Sequence, residues 1–127
     1  MEAGFVASLA RPGGKVTGIA FQTFDVDAKR LQFLREAMPA ARRFGYLWPP
    51  GPIPVRVVDL MTDAARRLNV EVTMRSVAAL EPAAYEAALS AMRKEGAAGV
   101  LVASTQALSF EAQHFGPVAQ SLGLPTI

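Results

Sequence analysis

Short apolar segments begin near residues 44, 70, 99 and 125, and the intervals between them carry apolar residues at helical spacing. That regular alternation constrains the fold more than any other feature. One strand followed by one helix per interval returns the chain across the face of a sheet, so consecutive strands run parallel. The expected class is therefore α/β, a doubly wound, Rossmann-like, three-layer parallel sheet.

The individual signals fit that scheme. Asp25 is placed to cap a helix whose apolar residues are Val26, Leu31, Leu34 and Met38, and Pro39 forbids its continuation. Residues 44–48 form a short strand closed by Pro49, Pro50, Gly51 and Pro52. A second helix takes up Val55, Val58, Met61, Ala65 and Leu68, with Asn69 suited to a left-handed end. Val70, Val72 and Met74 alternate with Glu71, Thr73 and Arg75, the pattern of a half-exposed edge strand. Pro82 in a first turn, then Tyr85, Ala88, Leu89 and Met92, predict a third helix ending at Gly96. GVLVA, residues 99–103, is continuously apolar, as a strand buried on both faces should be. Residues 108–122 predict a fourth helix stopped by Gly123, and Leu124 opens a further strand.

The stretch RPGGKVTGIAF, residues 11–21, resembles a phosphate cradle only superficially. A phosphate-binding loop needs a glycine five residues before its Gly-Lys pair and a hydroxyl directly after the lysine, where this chain has Leu9 and Val16. Such a loop also follows a strand and opens a helix, whereas Lys15 precedes the strand-like VTGIAF. A short helix over residues 4–10, a Pro-Gly turn and a strand over residues 16–21 account for the segment instead.

With 127 residues, 51% of them hydrophobic, the chain suffices for one core and hardly for two. The net charge is only +2, and the basic residues are scattered, so no nucleic-acid partner is expected. The absence of cysteine excludes thiolate chemistry and sulfur-ligated metals. His114 is the single histidine and reads as a helix-surface residue. Asp25, Asp27 and Glu81 stand at helix starts, where the dipole explains them. Asp59 and Asp63, near Arg56, Arg66 and Arg67, read as a solvated charged face. No catalytic set, metal site or cofactor is expected, and the chain is not read as an enzyme.

Geometry then designates the candidate site. In doubly wound sheets, ligands lie beyond the carboxyl ends of the strands, here at Trp48 and Pro49 after one strand and at Ser104, Thr105 and Gln106 after another. An aromatic face with hydroxyl and amide groups suits a small uncharged or zwitterionic molecule. The same residues also read as a helix-capping hydroxyl cluster beside a tryptophan at the edge of the core.

GFVASLARPGGKVTG, residues 4–18, is similar to the GLVASLARPGGNVTG segment of the bacterial ABC-transporter substrate-binding proteins that include tryptophan- and tyrosine-binding members. The run Asp27, Ala28, Lys29, Arg30 and Leu31, with Leu34 following, resembles that family's next motif, and residues 42–49 resemble its RRVAVLWNP strand. The likeness continues in order through GVLVA to the closing LPTI. It departs at Lys15, where the family has Asn, at Pro49, Pro50, Gly51 and Pro52, where the family tends to Asn-Pro-x-Asn-Pro, and at Ser104, Thr105 and Gln106, where many members have an Asp-Pro turn.

The resemblance implies a type I periplasmic-binding-protein fold, two α/β lobes closing on a ligand. Residues 1–24 would be the end of the first lobe and the crossover, and residues 25–127 most of the second lobe, cut short at its end. It further implies a small-molecule ligand such as an aromatic amino acid, an ABC permease as membrane partner, and a periplasmic or lipid-anchored extracellular location for the full-length protein. Self-association of the isolated chain through uncovered apolar surface is expected too. The alternatives are the ligand-sensing domain of a cytosolic transcriptional regulator with the same fold and, from a different class, a small flavodoxin-like enzyme or receiver-like domain.

Overall fold

The computed structural model describes residues 23–127. The helix over residues 4–10, the Pro-Gly turn, the strand over residues 16–21 and any phosphate contact of Lys15 lie outside the described residues.

The elements follow in the order α1 (Thr23–Ala37), β1 (Arg43–Trp48), α2 (Val55–Leu68), β2 (Glu71–Ser76), α3 (Pro82–Lys94), β3 (Val100–Val102), α4 (Gln106–Ser109) and α5 (Ala112–Ser121). The strands are parallel in the order β2-β1-β3, with Tyr46 level with Met74 on one side and Leu101 on the other. Thr126 adds a parallel bridge to Val100, so a fourth strand position opens beyond β3. The winding reverses between β1 and β3, which makes their carboxyl ends the switch point of the sheet.

Two glycines show which face carries which helices. A Cβ at Gly45 would meet Met92 of α3, whereas one at Gly99 would meet Leu34 of α1 and Met38 just beyond it. Side chains alternate along a strand, so Phe44, Tyr46 and Trp48 face the α1 and α2 layer, while Gly45 and Leu47 face the α3 and α5 layer. The α/β three-layer architecture expected from the sequence is thus present.

Helix phasing departs from expectation in two places. Asp25 does not cap α1, which begins at Thr23 and holds Asp25 in its first turn. The buried stripe of α1 runs Asp27, Leu31, Leu34, with Met38 partly buried after it, while Val26 is exposed. In α2, Val57, Met61 and Ala65 are buried at strict spacings of four, and Val55 and Val58 face outward. Adjacent valines left the phase ambiguous; packing on the sheet selects Val57.

The ends are governed as the sequence suggests. Asn69 takes φ 52° at the end of α2, and its N–H returns to the carbonyls of Ala65 and Arg66. Gly96 (φ 87°) and Gly123 (φ 60°) provide the left-handed turns after α3 and α5. β2 is an edge strand, but half-burial along its middle replaces the expected alternation because both of its faces are partly covered.

The predicted fourth helix is two. Thr105 accepts the Leu108 N–H at 3.4 Å and starts α4 before residue 108. The chain then turns at Phe110 and Glu111, and the Glu111 carbonyl accepts from His114 N at 2.8 Å and Phe115 N at 3.2 Å to start α5. The break also sets the Glu111 carboxylate between the Tyr85 hydroxyl, 3.2 Å away, and His114 Nδ1, 2.8 Å away.

The close approach at Gly45 is testable. A Cβ there would lie 2.5 Å from Met92 Sδ and 3.1 Å from Val100 Cγ2, both on fully buried residues. Gly45→Ala is expected to lower stability by about 1–3 kcal/mol, the usual cost of overpacking a core. Chemical denaturation should show an earlier midpoint with an unchanged slope, and an unchanged midpoint would mean that Met92 moves aside freely.

Candidate functional site

Asp27 lies four residues before Leu31, on the stripe that α1 turns toward the sheet. A carboxylate so placed must be satisfied within the protein, because burying it without partners would cost several kcal/mol, of order 5 or more. Asp27 is 0% exposed and accepts from four donors. Its Oδ1 receives Arg30 Nη1 at 2.9 Å and the Ser104 hydroxyl at 2.5 Å; its Oδ2 receives the Tyr46 hydroxyl at 2.8 Å and the Ser104 N–H at 3.2 Å. Arg30 Nη1 also reaches the Val102 carbonyl at 2.9 Å and Ser104 Oγ at 2.6 Å. One acid thereby joins α1, the centre of β1 and the loop leaving β3.

Burial pushes the Tyr46 phenol far above its ordinary range, and the Asp27 charge and hydrogen bond add to that rise, opposed in part by Arg30. Tyr85 is pushed up to about 12, first by burial and then by the neighbouring Glu111 carboxylate.

The residues singled out from sequence divide into two groups. Trp48 is buried, with its ring centroid 6.1 Å from that of Tyr46 and tilted by 32°. Pro49 beside it is half-buried. Ser104, Thr105 and Gln106 line a cleft of about 640 Å³ at the carboxyl end of β3, and Trp48 and Pro49 do not border it. The Ser104 hydroxyl is held inside the Asp27 cluster, and the Thr105 hydroxyl oxygen caps α4. Gln106 is exposed at the first position of α4. Val102, Leu108 and Phe115 give the cleft an apolar side.

Sequence reasoning passed over Asp27, Arg30 and Tyr46 as site residues. The signals were present: an acid in phase with Leu31 and Leu34, and a phenol in the middle of a buried strand, each demand a partner. His114 is an exposed helix residue bonded to Glu111, as expected. Among the described residues no group of His, Asp and Glu could hold a metal ion, and no helix is long and apolar enough to cross a membrane.

Known proteins share part of this sequence or its fold. The tyrosine-binding protein of Clostridioides difficile (strain R20291) is 31% identical over 78 residues, which are 61% of this chain and 22% of that protein. The ABC domain from Streptococcus pneumonia solved in complex with L-Trp superposes with a TM-score of 0.70 at 18% identity, covering 98% of this chain and 41% of that one. An ABC transporter solute-binding protein from Conexibacter woesei DSM 14684 gives a TM-score of 0.58 at 13% identity, over 83% of this chain and 33% of that one. This chain resembles ABC-transporter substrate-binding proteins. No protein-family profile matches it. The chain spans about a fifth of the curated relative and about two fifths of the tryptophan complex.

Two measurements test the cluster. Asp27→Ala strands a buried phenol and a partly buried guanidinium and should cost about 3 kcal/mol or more in a denaturant titration. Tyr46 and Tyr85 are the only tyrosines in the chain, and both have folded-state pKa values raised above the unfolded one. Their contribution is complete below about pH 10 and is lost as pH rises further, because the unfolded chain releases phenolic protons that the folded chain retains. Tyrosinate absorbance of the folded chain should therefore be displaced well above pH 10, and ionisation of Tyr46 near pH 10 in the folded chain would contradict the Asp27 cluster.

Proposed function

We propose that the chain is part of the solute-binding component of an ABC transporter, taking up a small molecule such as an amino acid and doing no chemistry on it. The observation that carries this reading is the cleft at the carboxyl end of β3, lined by hydroxyl and amide groups on one side and apolar side chains on the other. A zwitterion with an apolar side chain needs that combination. The sequence likeness to a tyrosine-binding protein and the fold shared with the structure solved with L-Trp support it.

In this reading residues 25–127 form most of a second lobe, and residues 1–24 lead into it from a first. The apolar rim of the same edge is consistent with such a neighbour. Val55, 75% exposed, opens α2 after β1; Leu80 lies between β2 and α3; Phe110, 71% exposed, follows β3. Ligand contacts made only when both lobes close would shift the population toward the closed form, which a permease would recognise. The full-length protein would act outside the cytoplasm.

Calorimetric titration of the full-length gene product with the twenty amino acids tests the proposal. Saturable one-to-one binding is expected for at least one large apolar or aromatic member, and silence across the panel would overturn it. The 127-residue chain alone should bind the same ligand more weakly and self-associate through the apolar rim. Light scattering that gave a monomer at high concentration, with undiminished affinity, would contradict the two-lobed arrangement.

A further inference from the structure

We infer that Arg30 is the carboxylate anchor of the cleft, held in place by Asp27, and that the ligand is therefore an apolar carboxylic acid, free amino acids included. This rests on the solute-binding reading above and narrows it to a chemical class and a residue.

Arg30 is the one charged side chain among the described residues lining the cleft. Its side chain is 23% exposed, against 1% for Asp27. All of its bonds within the cluster are made by Nη1, to Asp27 Oδ1, the Val102 carbonyl and Ser104 Oγ. Among the described residues Nη2 and Nε donate to no partner, and these atoms form the second edge of a planar fork whose spacing matches a carboxylate. The other polar groups are neutral. The Ser104 hydroxyl both accepts from Arg30 and donates to Asp27, the Ser109 hydroxyl donates to the Thr105 carbonyl, Thr105 Oγ1 accepts as the cap of α4 and keeps its own proton, and Gln106 is an exposed amide. An anion entering this cleft thus has one charged, oriented donor set at its disposal, with Leu108 and Phe115 placed for the apolar remainder.

Asp27 does not cancel that charge as a lone partner would. It also accepts from Tyr46 and twice from Ser104, so its charge is shared among four donors while it fixes the Arg30 rotamer. Asp27 is accordingly a positioning residue and Arg30 a binding one.

The test compares acids with their uncharged isosteres on the full-length protein. L-Tryptophan, L-tyrosine and L-leucine are titrated beside their carboxamides, which keep the side chain and the amine but lose the anion. The unaltered protein should prefer the acid by about tenfold to a hundredfold, the effect of one charge-assisted bidentate contact. Arg30→Gln should bind acid and amide alike, and Arg30→Lys should recover part of the preference. Acids and amides binding equally to the unaltered protein would overturn the role of Arg30 and leave the solute-binding reading intact. A preference that persists in a folded Arg30→Gln protein would overturn it as well, because another group would then read the carboxylate. No binding by any acid or amide would remove the solute-binding reading and this inference with it. The comparison on the unaltered protein decides the ligand class even where the variants fold poorly.

Discussion

The buried Asp27 carboxylate is the constraint on which the rest depends. A charge in the core costs several kcal/mol, of order 5 or more, unless it is paired and hydrogen-bonded, so its presence dictates the identity and position of its neighbours. It requires a hydroxyl at mid-β1, supplied by Tyr46, a cation one turn along α1, supplied by Arg30, and a chain leaving β3 that offers both N–H and hydroxyl, supplied by Ser104. These groups come from elements up to 77 residues apart in sequence. An apolar residue at position 27 could fill the volume, but it would leave the register of α1 on the sheet less specified and the loop after β3 tied to α1 through Arg30 alone.

That tether acts at the edge that carries the candidate site. The sheet reverses its winding between β1 and β3, and each strand delivers its chain to the same edge through residues 49–54, 77–81 and 103–105. The first turn of α1 arrives there too, because α1 runs antiparallel to the strand it precedes. The acid, the cleft and three exposed apolar side chains therefore share one side of the molecule, while the opposite edge holds turns made by Asn69 and Gly96. Local stability and the candidate site meet at Ser104, which lines the cleft while its hydroxyl closes the network.

Much of the fold was legible in the sequence because it rests on periodicities that packing enforces. The apolar run at Val100, Leu101 and Val102 needs no partner information to be recognised as a buried strand, and Asn69 announces its left-handed turn by residue type. Phase was less legible where chemistry was degenerate: Val57 and Val58 are indistinguishable until the sheet chooses one. The split between α4 and α5 was hidden because it rests on the Thr105 cap and on the turn at Phe110 and Glu111, which apolar spacing alone does not announce. The site was half legible. Ser104, Thr105 and Gln106 follow from topology alone, whereas an acid at a helix start has a sufficient local explanation in the dipole, which masked the long-range role of Asp27. Trp48 drew attention as an aromatic face for a ligand, or alternatively as a tryptophan at the edge of the core, and it is buried beside Tyr46.

On the proposed role of Arg30, its pairing with Asp27 bears on how one cleft could attract an anion without carrying a large positive charge. A lone arginine in a half-buried cleft would be costly to desolvate, whereas a fully neutralised one would have little attraction left. Here the cation shares one nitrogen with a carboxylate that is simultaneously held by a phenol, a hydroxyl and an amide. Each added donor draws charge away from the Asp27 oxygens, so the rest of the Arg30 guanidinium keeps more of its field than a simple ion pair would allow. Because the Arg30 rotamer is already fixed, a ligand carboxylate need not order it on binding, and that saved entropy favours affinity. In the proposed arrangement the same residues that make the helix dock on the sheet would also prepare the donor edge for a ligand.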